Sequence, residues 1–266
     1  MFIDKTKISI RRISNDVARD MIRKYHYTKN LNGCKYALGV YYKTSTNGFF
    51  DIDEELVGVI VYAHPVSNKT VDSICGPSIL KNDEVLELVR LYVKDLPNDK
   101  NIESFVIGQS FEWLRANDPK VKVLISYADP EVGHTGRIYR ATNWLYQGCG
   151  ISKLMPDYSI KLTEDGEWIH SRSVASKFGN KNIKSLAKRI GHTFWQKEDS
   201  SKHRYIYFLT DKRETKRLKK MLKLPILPYS EIKHPTQVIR KVYVKDGEVE
   251  KIEVLQGEDT GWKRKK

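Results

Sequence analysis

The sequence predicts an α/β fold, a mixed central sheet flanked by helices on both faces. Three observations predict it. Segments with strand-like and helix-like apolar spacing follow one another as strand, helix, three strands, helix, strand, helix and a late strand, an order that leaves helices to cover one sheet. "VKVLISYA" is a short apolar run of the kind buried on both faces of a sheet. A chain of 266 residues with 40% hydrophobic content is long and apolar enough to bury a real core.

"TKISIRRIS" alternates apolar and polar positions as a strand does. Ser14 is placed to cap the helix that follows, whose Val17, Ala18, Met21, Ile22 and Tyr25 recur at helical spacing and which ends near "YHYTKN". "KYALGVYYK" and "ELVGVIVYAHP" flank a polar, Gly-bearing turn and predict an antiparallel hairpin. "EVLELVRLYV" is a further strand, and "DLPND" breaks the chain after it. "NIESFVIGQSFEWLRAN" predicts a long amphipathic helix. The strand "VKVLISYA" is followed by a helix from about Thr135 to Trp144, and "HRYIYFL" supplies the late strand.

Two regions stand outside this order. "SVASKFGNKNIKSLAKRIGHTF", within residues 171–198, predicts a small basic helical insertion: a turn at Phe178-Gly179-Asn180, then a helix with Ile183, Leu186, Ala187 and Ile190 inward. Beyond Asp211, "KRETKRLKKMLKLPILPYSEIKHP" is a strongly basic segment that reads as a solvated helix face and a linker. "KVYVKDGEVEKIEVLQGED" predicts a small hairpin around Asp246-Gly247, and "WKRKK" a basic tail. The expected division is a catalytic domain over 1–210, holding the insertion, and a basic C-terminal extension over 211–266.

The net charge of +14 makes a polyanion, most commonly nucleic acid, the expected partner. Cys34, Cys75 and Cys149 form no C-x-x-C pair, which argues against a disulfide framework or a cysteine zinc site and for a reducing compartment. The start, "MFIDKTKISIRR", has no apolar signal core, and "LVGVIVYA" is too short to span a bilayer, so a cytoplasmic protein without a membrane partner is expected.

Three stretches carry chemistry. "YADPEVGHTGRIYRATNW" puts Asp129 at a strand end, two glycines in the next loop and Tyr139 in the helix beyond; strand ends beside helix starts are where α/β proteins expose groups to ligands. Asp129 as a turn residue and Tyr139 as core are the plain alternatives. "RKYHYTKN" sets His26 between Tyr25 and Tyr27 at a helix end, where a histidine is often only a dipole partner. His, Tyr and Asp together suit a non-thiolate metal such as iron(II). In "ELVRLYV", Arg90 has apolar neighbours and must aim at a carboxylate, a phosphate or a ligand. Glu87 falls on the opposite face if the strand is regular, and a structural pairing with Asp129 is the alternative. There is no G-x-S-x-G elbow, H-E-x-x-H, Walker loop, G-x-G-x-x-G or deaminase zinc motif.

Taken together, "YHY", "ELVRLYV", "LISYADPEVGHTGRIYRATNWLYQG", "GEWIHSR" and "HRYIYFL" resemble the phage Mom family of DNA-modification proteins, and the element order is similar to that of GNAT acyltransferases. The resemblance runs from about residue 10 to about residue 210. It implies a GNAT-like sheet and methylcarbamoylation of the exocyclic amine of adenine in DNA, which shields phage DNA from host restriction in the host cytoplasm. It places the family's implicated residues on His26, Tyr27, Arg90, Asp129, Tyr139 and Ser126. Catalysis is then expected of Asp129, Tyr139, Arg90 and Ser126, and any iron of His26, Tyr27, Asp129 and Tyr139.

The resemblance also implies a partner, double-stranded DNA with the adenine flipped out of the stack. Asp129 would orient or deprotonate the amine, with Tyr139 as proton relay or metal ligand. Lys184, Lys188 and Arg189 are the expected DNA grip, with Lys212 to Lys223 as the alternative. After the Arg90 strand, acyltransferases that use acetyl-CoA carry a Gly-rich pyrophosphate loop. Here "KDLPNDKNIESF" has no glycine and three acidic residues, so acetyl-CoA is not the expected donor, and the sequence names no other. Two rival readings keep the fold: a CoA-dependent N-acetyltransferase acting on a small amine or protein, and a DNA-binding protein without catalysis.

Overall fold

The computed structural model describes residues 5–47, 51–95, 101–149, 158–198, 202–232 and 238–256. In chain order its elements are β1 (Ile8–Arg12), α1 (Asn15–Tyr25), β2 (Tyr36–Asn47), β3 (Asp51–Ala63), α2 (Asn68–Cys75), β4 (Val85–Val93), α3 (Ile102–Asn117), β5 (Val123–Ala128), α4 (Arg137–Ala141), β6 (Leu145–Cys149), β7 (Tyr158–Lys161), α5 (Ser171–Phe178), α6 (Ile183–Ile190), β8 (Phe194–Glu198), β9 (His203–Phe208), α7 (Lys212–Lys220), β10 (Ile239–Lys245) and β11 (Glu248–Gln256). They fall into two units. One is built from Met1–Ala128, His134–Gly148 and His203–Ile232, the other from Asp129–Gly133, Cys149–Lys202 and Lys233–Lys266.

The first unit is the predicted mixed sheet flanked by helices, seven strands in the order β1-β2-β3-β4-β5-β9-β6. Period-2 alternation sends successive side chains to opposite faces. Leu38, Ile60, Leu86 and Leu124 pack with Val106, Ile107 and Leu114 of α3 on one face. On the other, Ala37, Val59 and Val61 meet Ala18 and Ile22 of α1, and Val85, Val123 and Ile125 meet Val71 and Ile74 of α2 and Leu218 of α7. Burying each large aliphatic side chain contributes about 1.5–3 kcal/mol. Ser14 caps α1 as expected, accepting the Val17 N–H at 3.3 Å. β4 and β5 run parallel, paired from Val85↔Val123 to Leu88↔Ser126.

Two expectations are corrected here. β4 is not regular: its register against β3 moves from Val61↔Arg90 to Tyr62↔Leu88, leaving Val89 as an extra residue in a bulge. The bulge reverses the alternation, so Leu86 and Leu88, then Leu91 and Val93, face α3. Arg90 therefore shares a face with Glu87. The helix expected from about Thr135 to Trp144 is the shorter α4, because Gly136 (φ +76°) precedes it and Asn143 (φ +60°) follows it in left-handed conformations. α2 and β6 to β8 carry weak periodic signals and were not predicted.

The second unit is a four-stranded antiparallel sheet, β11-β10-β8-β7. Ile160, Phe194 and Val242 of this sheet pack with Val174 of α5 and Leu186 and Ala187 of α6, and Ile183 and Ile190 border the same core. α6 opens at Asn182, whose side-chain oxygen accepts the Lys184 N–H at 2.9 Å, and closes at Gly191 (φ +75°). Phe178 closes α5, so the turn before α6 is 179–182. Asp246 (φ +53°) and Gly247 (φ +77°) make the two-residue turn between β10 and β11. The units divide the chain differently from the expected 1–210 and 211–266: β8 of the insertion pairs with β10 of the extension, while α7 and the segment to Ile232 belong with the first unit. The tail "WKRKK" and residues 96–100 of the acidic loop lie outside the described residues. Among the described residues no helix is long and apolar enough to cross a membrane.

Candidate active site

The parallel pairing of β4 and β5 stops at Leu88 and Ser126, and side chains take over there. Ser126 is buried and donates its hydroxyl to the Leu88 carbonyl at 2.8 Å. Arg90 Nη1 donates to the Val89 carbonyl at 2.6 Å, and its Nε to the Asn30 carbonyl at 2.9 Å. Arg90 thus aims at the main-chain carbonyls of Val89 and Asn30. Burial lowers its pKa, while Tyr27 and Glu87 act in the opposite direction.

Tyr139 stands on the α3 side of this split, 7% exposed, with its hydroxyl 2.7 Å from Ser126 Oγ. Because Ser126 donates to Leu88, the phenol is the donor of that pair, and its own oxygen keeps an acceptor lone pair. Burial raises its pKa to about 12, with Tyr27 and Glu87 adding to the rise. The phenol is therefore neutral near pH 7. Tyr205, buried beside it at 4.9 Å between ring centroids, donates to the Thr135 carbonyl. A Cβ on Gly136 would lie 2.4 Å from the Tyr205 ring, so what approaches this glycine's backbone is the protein's own aromatic ring.

His26 caps the C-terminus of α1 and is 8% exposed. Its Nδ1 accepts the Thr28 N–H at 3.2 Å and lies 2.9 Å from the Thr28 hydroxyl, and an Nδ1 that accepts leaves the ring proton on Nε2. Burial lowers its pKa to about 4, with Arg90 and His134 contributing. Tyr27, half exposed, stacks on His26 at 4.4 Å and meets His134 edge-on at 5.3 Å. Thr28, Asn30 and His134 carry no expectation from the sequence, and Glu87 only that of facing away from Arg90. His134 stands inside the quoted "EVGHTG" loop; the others show no pattern beyond their neighbours.

Asp129 belongs to the second unit. It caps a single 3-10 turn (Pro130–Val132), with Oδ1 accepting the Glu131 N–H at 3.0 Å and Oδ2 3.0 Å from Lys202 Nζ. The structure thus joins Ser126 to Tyr139, and His26, Tyr27 and Arg90 to one another, while Asp129 is engaged with Glu131 and Lys202. The Tyr139 hydroxyl is committed to Ser126 and held neutral, and both Asp129 oxygens are engaged. Among the described residues no group of three or more His, Cys, Asp or Glu could hold a metal ion.

The Mom protein family matches residues 7–231. Methylcarbamoylase mom of Escherichia phage Mu is 27% identical over 232 residues, 84% of this chain and 83% of that protein. Among solved structures, Arabidopsis thaliana NAA60 in complex with acetyl-CoA is similar over 76% of this chain and 99% of its own, at 12% identity and a TM-score of 0.39. Spermidine N-acetyltransferase from Vibrio cholerae, in complex with CoA and spermine, covers 77% of this chain and 97% of its own, at 8% identity and a TM-score of 0.38. Scores that low carry no argument about this chain.

Proposed function

The chain belongs to the Mom protein family, and from that premise we propose that it transfers a carbamoylmethyl-type group to the exocyclic amine of adenine in DNA, protecting phage DNA from host restriction. The observation that carries the reading is the match over residues 7–231, which includes the first unit's hydroxyl pair and its His26–Tyr27–Arg90 set.

Adenine's amine is a poor nucleophile, because its lone pair is delocalised into the ring, and it lies inside the duplex, so the base must first be flipped out. As the new N–C bond forms, the bond between the transferred group and its donor breaks, the donor leaves with that electron pair, and the amine gives up one proton to a base. The acceptor lone pair of Tyr139 suits an amine N–H, and the chain Tyr139 to Ser126 to the Leu88 carbonyl keeps that lone pair oriented. Neutral His26, with its proton on Nε2, is a donor for oxygen on the incoming group. Asp129 is the carboxylate we propose to orient the amine or take its proton. Tyr27, exposed and stacked on His26, offers a face to the base.

The test is expression in a bacterium, digestion of its DNA to nucleosides, and mass spectrometry. A modified deoxyadenosine is expected with the wild type and not with Asp129→Asn. Unaltered nucleosides, together with saturable acetyl-CoA binding by the purified protein in calorimetry, would replace this reading with a CoA-dependent acyltransferase.

A further inference from the structure

In the four-stranded sheet, α5 and α6 cover the face that carries Ile160, Phe194 and Val242. The residues next to these point to the other face, and there cations and rings alternate. Lys197 Nζ lies 5.1 Å from the Trp168 ring, and Lys161 Nζ lies 5.5 Å from Trp168 and 5.3 Å from Trp195. Lys241 Nζ follows, 5.0 Å from Trp195 and 5.2 Å from Tyr243, and Lys251 Nζ ends the row 5.6 Å from Tyr243. The register makes this a row across the sheet: Lys161 and Lys241 both lie opposite Trp195, and Tyr243 opposite Lys251. Trp168 joins from the loop after β7, held by the two hydrogen bonds between its neighbour Ile169 and Ile160.

Carboxylates answer only part of this charge. Lys197 is paired to Glu131 at 3.0 Å, and Glu253 accepts the Tyr243 hydroxyl at 2.6 Å. Lys161 donates to the Glu164 carbonyl, and among the described residues Lys161, Lys241 and Lys251 form no salt bridge. A ring attracts an ammonium without neutralising it. It also holds a long, entropy-rich side chain in place before any anion arrives.

We propose that the face of the second unit carrying this row holds the sugar-phosphate backbone of DNA, with Lys161, Lys241 and Lys251 as its phosphate contacts. That the polyanion is DNA rests on the proposed function. Four strands about 4.8 Å apart span about 14 Å, wide enough for the three lysines to reach more than one phosphate of a DNA strand. The basic residues of α6 are arranged differently: the Arg189 guanidinium lies over Gly179, and Lys188 packs beside Gly247.

The experiment measures binding of the full chain to a fluorescent adenine-containing duplex, by anisotropy at several salt concentrations. Each lost phosphate contact flattens the slope of log affinity against log salt by about 0.9. Lys161→Gln, Lys241→Gln and Lys251→Gln combined should flatten it by about two to three and weaken binding at least about tenfold near 0.1 M salt. Lys184→Ala, Lys188→Ala and Arg189→Ala combined should flatten the slope less than the first variant does. An unchanged slope in the folded first variant overturns the proposal, as does a slope change confined to the second. Should the first variant not fold, acetylation of wild-type lysines with and without the duplex decides. Protection of Lys161, Lys241 and Lys251 supports the face, and equal labelling overturns it. A flattened slope with unmodified nucleosides in cells would leave the DNA face standing and sink the transferase reading; unchanged slope with modified adenine would do the reverse.

Discussion

Tyr139 and Ser126 hold their hydroxyls 2.7 Å apart where β4 and β5 separate, and removing either affects a different quantity. Tyr139→Phe deletes one oxygen from a ring whose packing against Trp144 and Tyr205 remains. Its expected effect is a fall of about a hundredfold or more in modified deoxyadenosine with an unchanged melting temperature. Ser126→Ala leaves the buried Leu88 carbonyl unanswered and should cost about 1–3 kcal/mol of stability as well. Wild-type modification by Tyr139→Phe would remove this hydroxyl from the chemistry.

His26 makes a pH prediction. Its pKa falls from 6.5 to about 4 on folding, so between these values the unfolded chain binds a proton that the folded chain does not. Its contribution to stability is therefore complete above pH 6.5 and lost as pH falls toward 4, by about 3 kcal/mol in all. Urea midpoints at pH 7.5 and 4.5 should separate more for the wild type than for His26→Gln. Equal separations would show that other groups carry the acid sensitivity.

At the scale of elements, the bulge in β4 decides which side chains meet. One extra residue moves Arg90 onto Glu87's face and leaves the Leu88 and Val89 carbonyls to be satisfied by Ser126 and Arg90. α7 shows a different economy. It is a run of charged residues capped by Asp211, whose side chain accepts the Glu214 N–H at 2.8 Å, and its buried residue is Leu218. That one side chain inserts between α2 and the sheet. Leu218→Ala should cost about 2–5 kcal/mol, a large loss for an exposed-looking helix, and should speed proteolysis after the α7 lysines. A loss below about 0.5 kcal/mol, as for an ordinary surface substitution, would contradict the docking.

At the scale of the whole molecule, both units are discontinuous in sequence. Ending the chain at residue 210, the boundary read from the sequence, would remove α7 from the first unit and β10 and β11 from the second. Phe194 and Trp195 of β8 would then lose the strand that pairs with them. The truncated chain is expected to show no cooperative thermal transition by circular dichroism. A sharp two-state melt with native-like amplitude would restore the sequence's division. The charge of +14 belongs to this scale too, since it concerns the field around the protein and not its fold.

By itself the sequence determined the mixed sheet, because the strands and helices of the first unit carry apolar residues at clean periods of 2 and 3.6, as in Leu38 and Val40 or Ala18 and Ile22. It also determined the helix cap at Ser14 and the turn at Asp246-Gly247, which depend on local hydrogen bonds and backbone conformation. The family was legible in motifs such as "SYADP" and "GRIYRATNW". Only the tertiary structure decided the partners. The β4 bulge is a mismatch of register between two strands and leaves no mark in either alone. Lys161, Trp195, Lys241 and Lys251 are up to 90 residues apart, so no window along the chain could have joined them into a row. The same holds for the sheet that binds the insertion to the extension: strand pairing is a contact between distant backbones, and a sequence records each strand's faces without naming its neighbour.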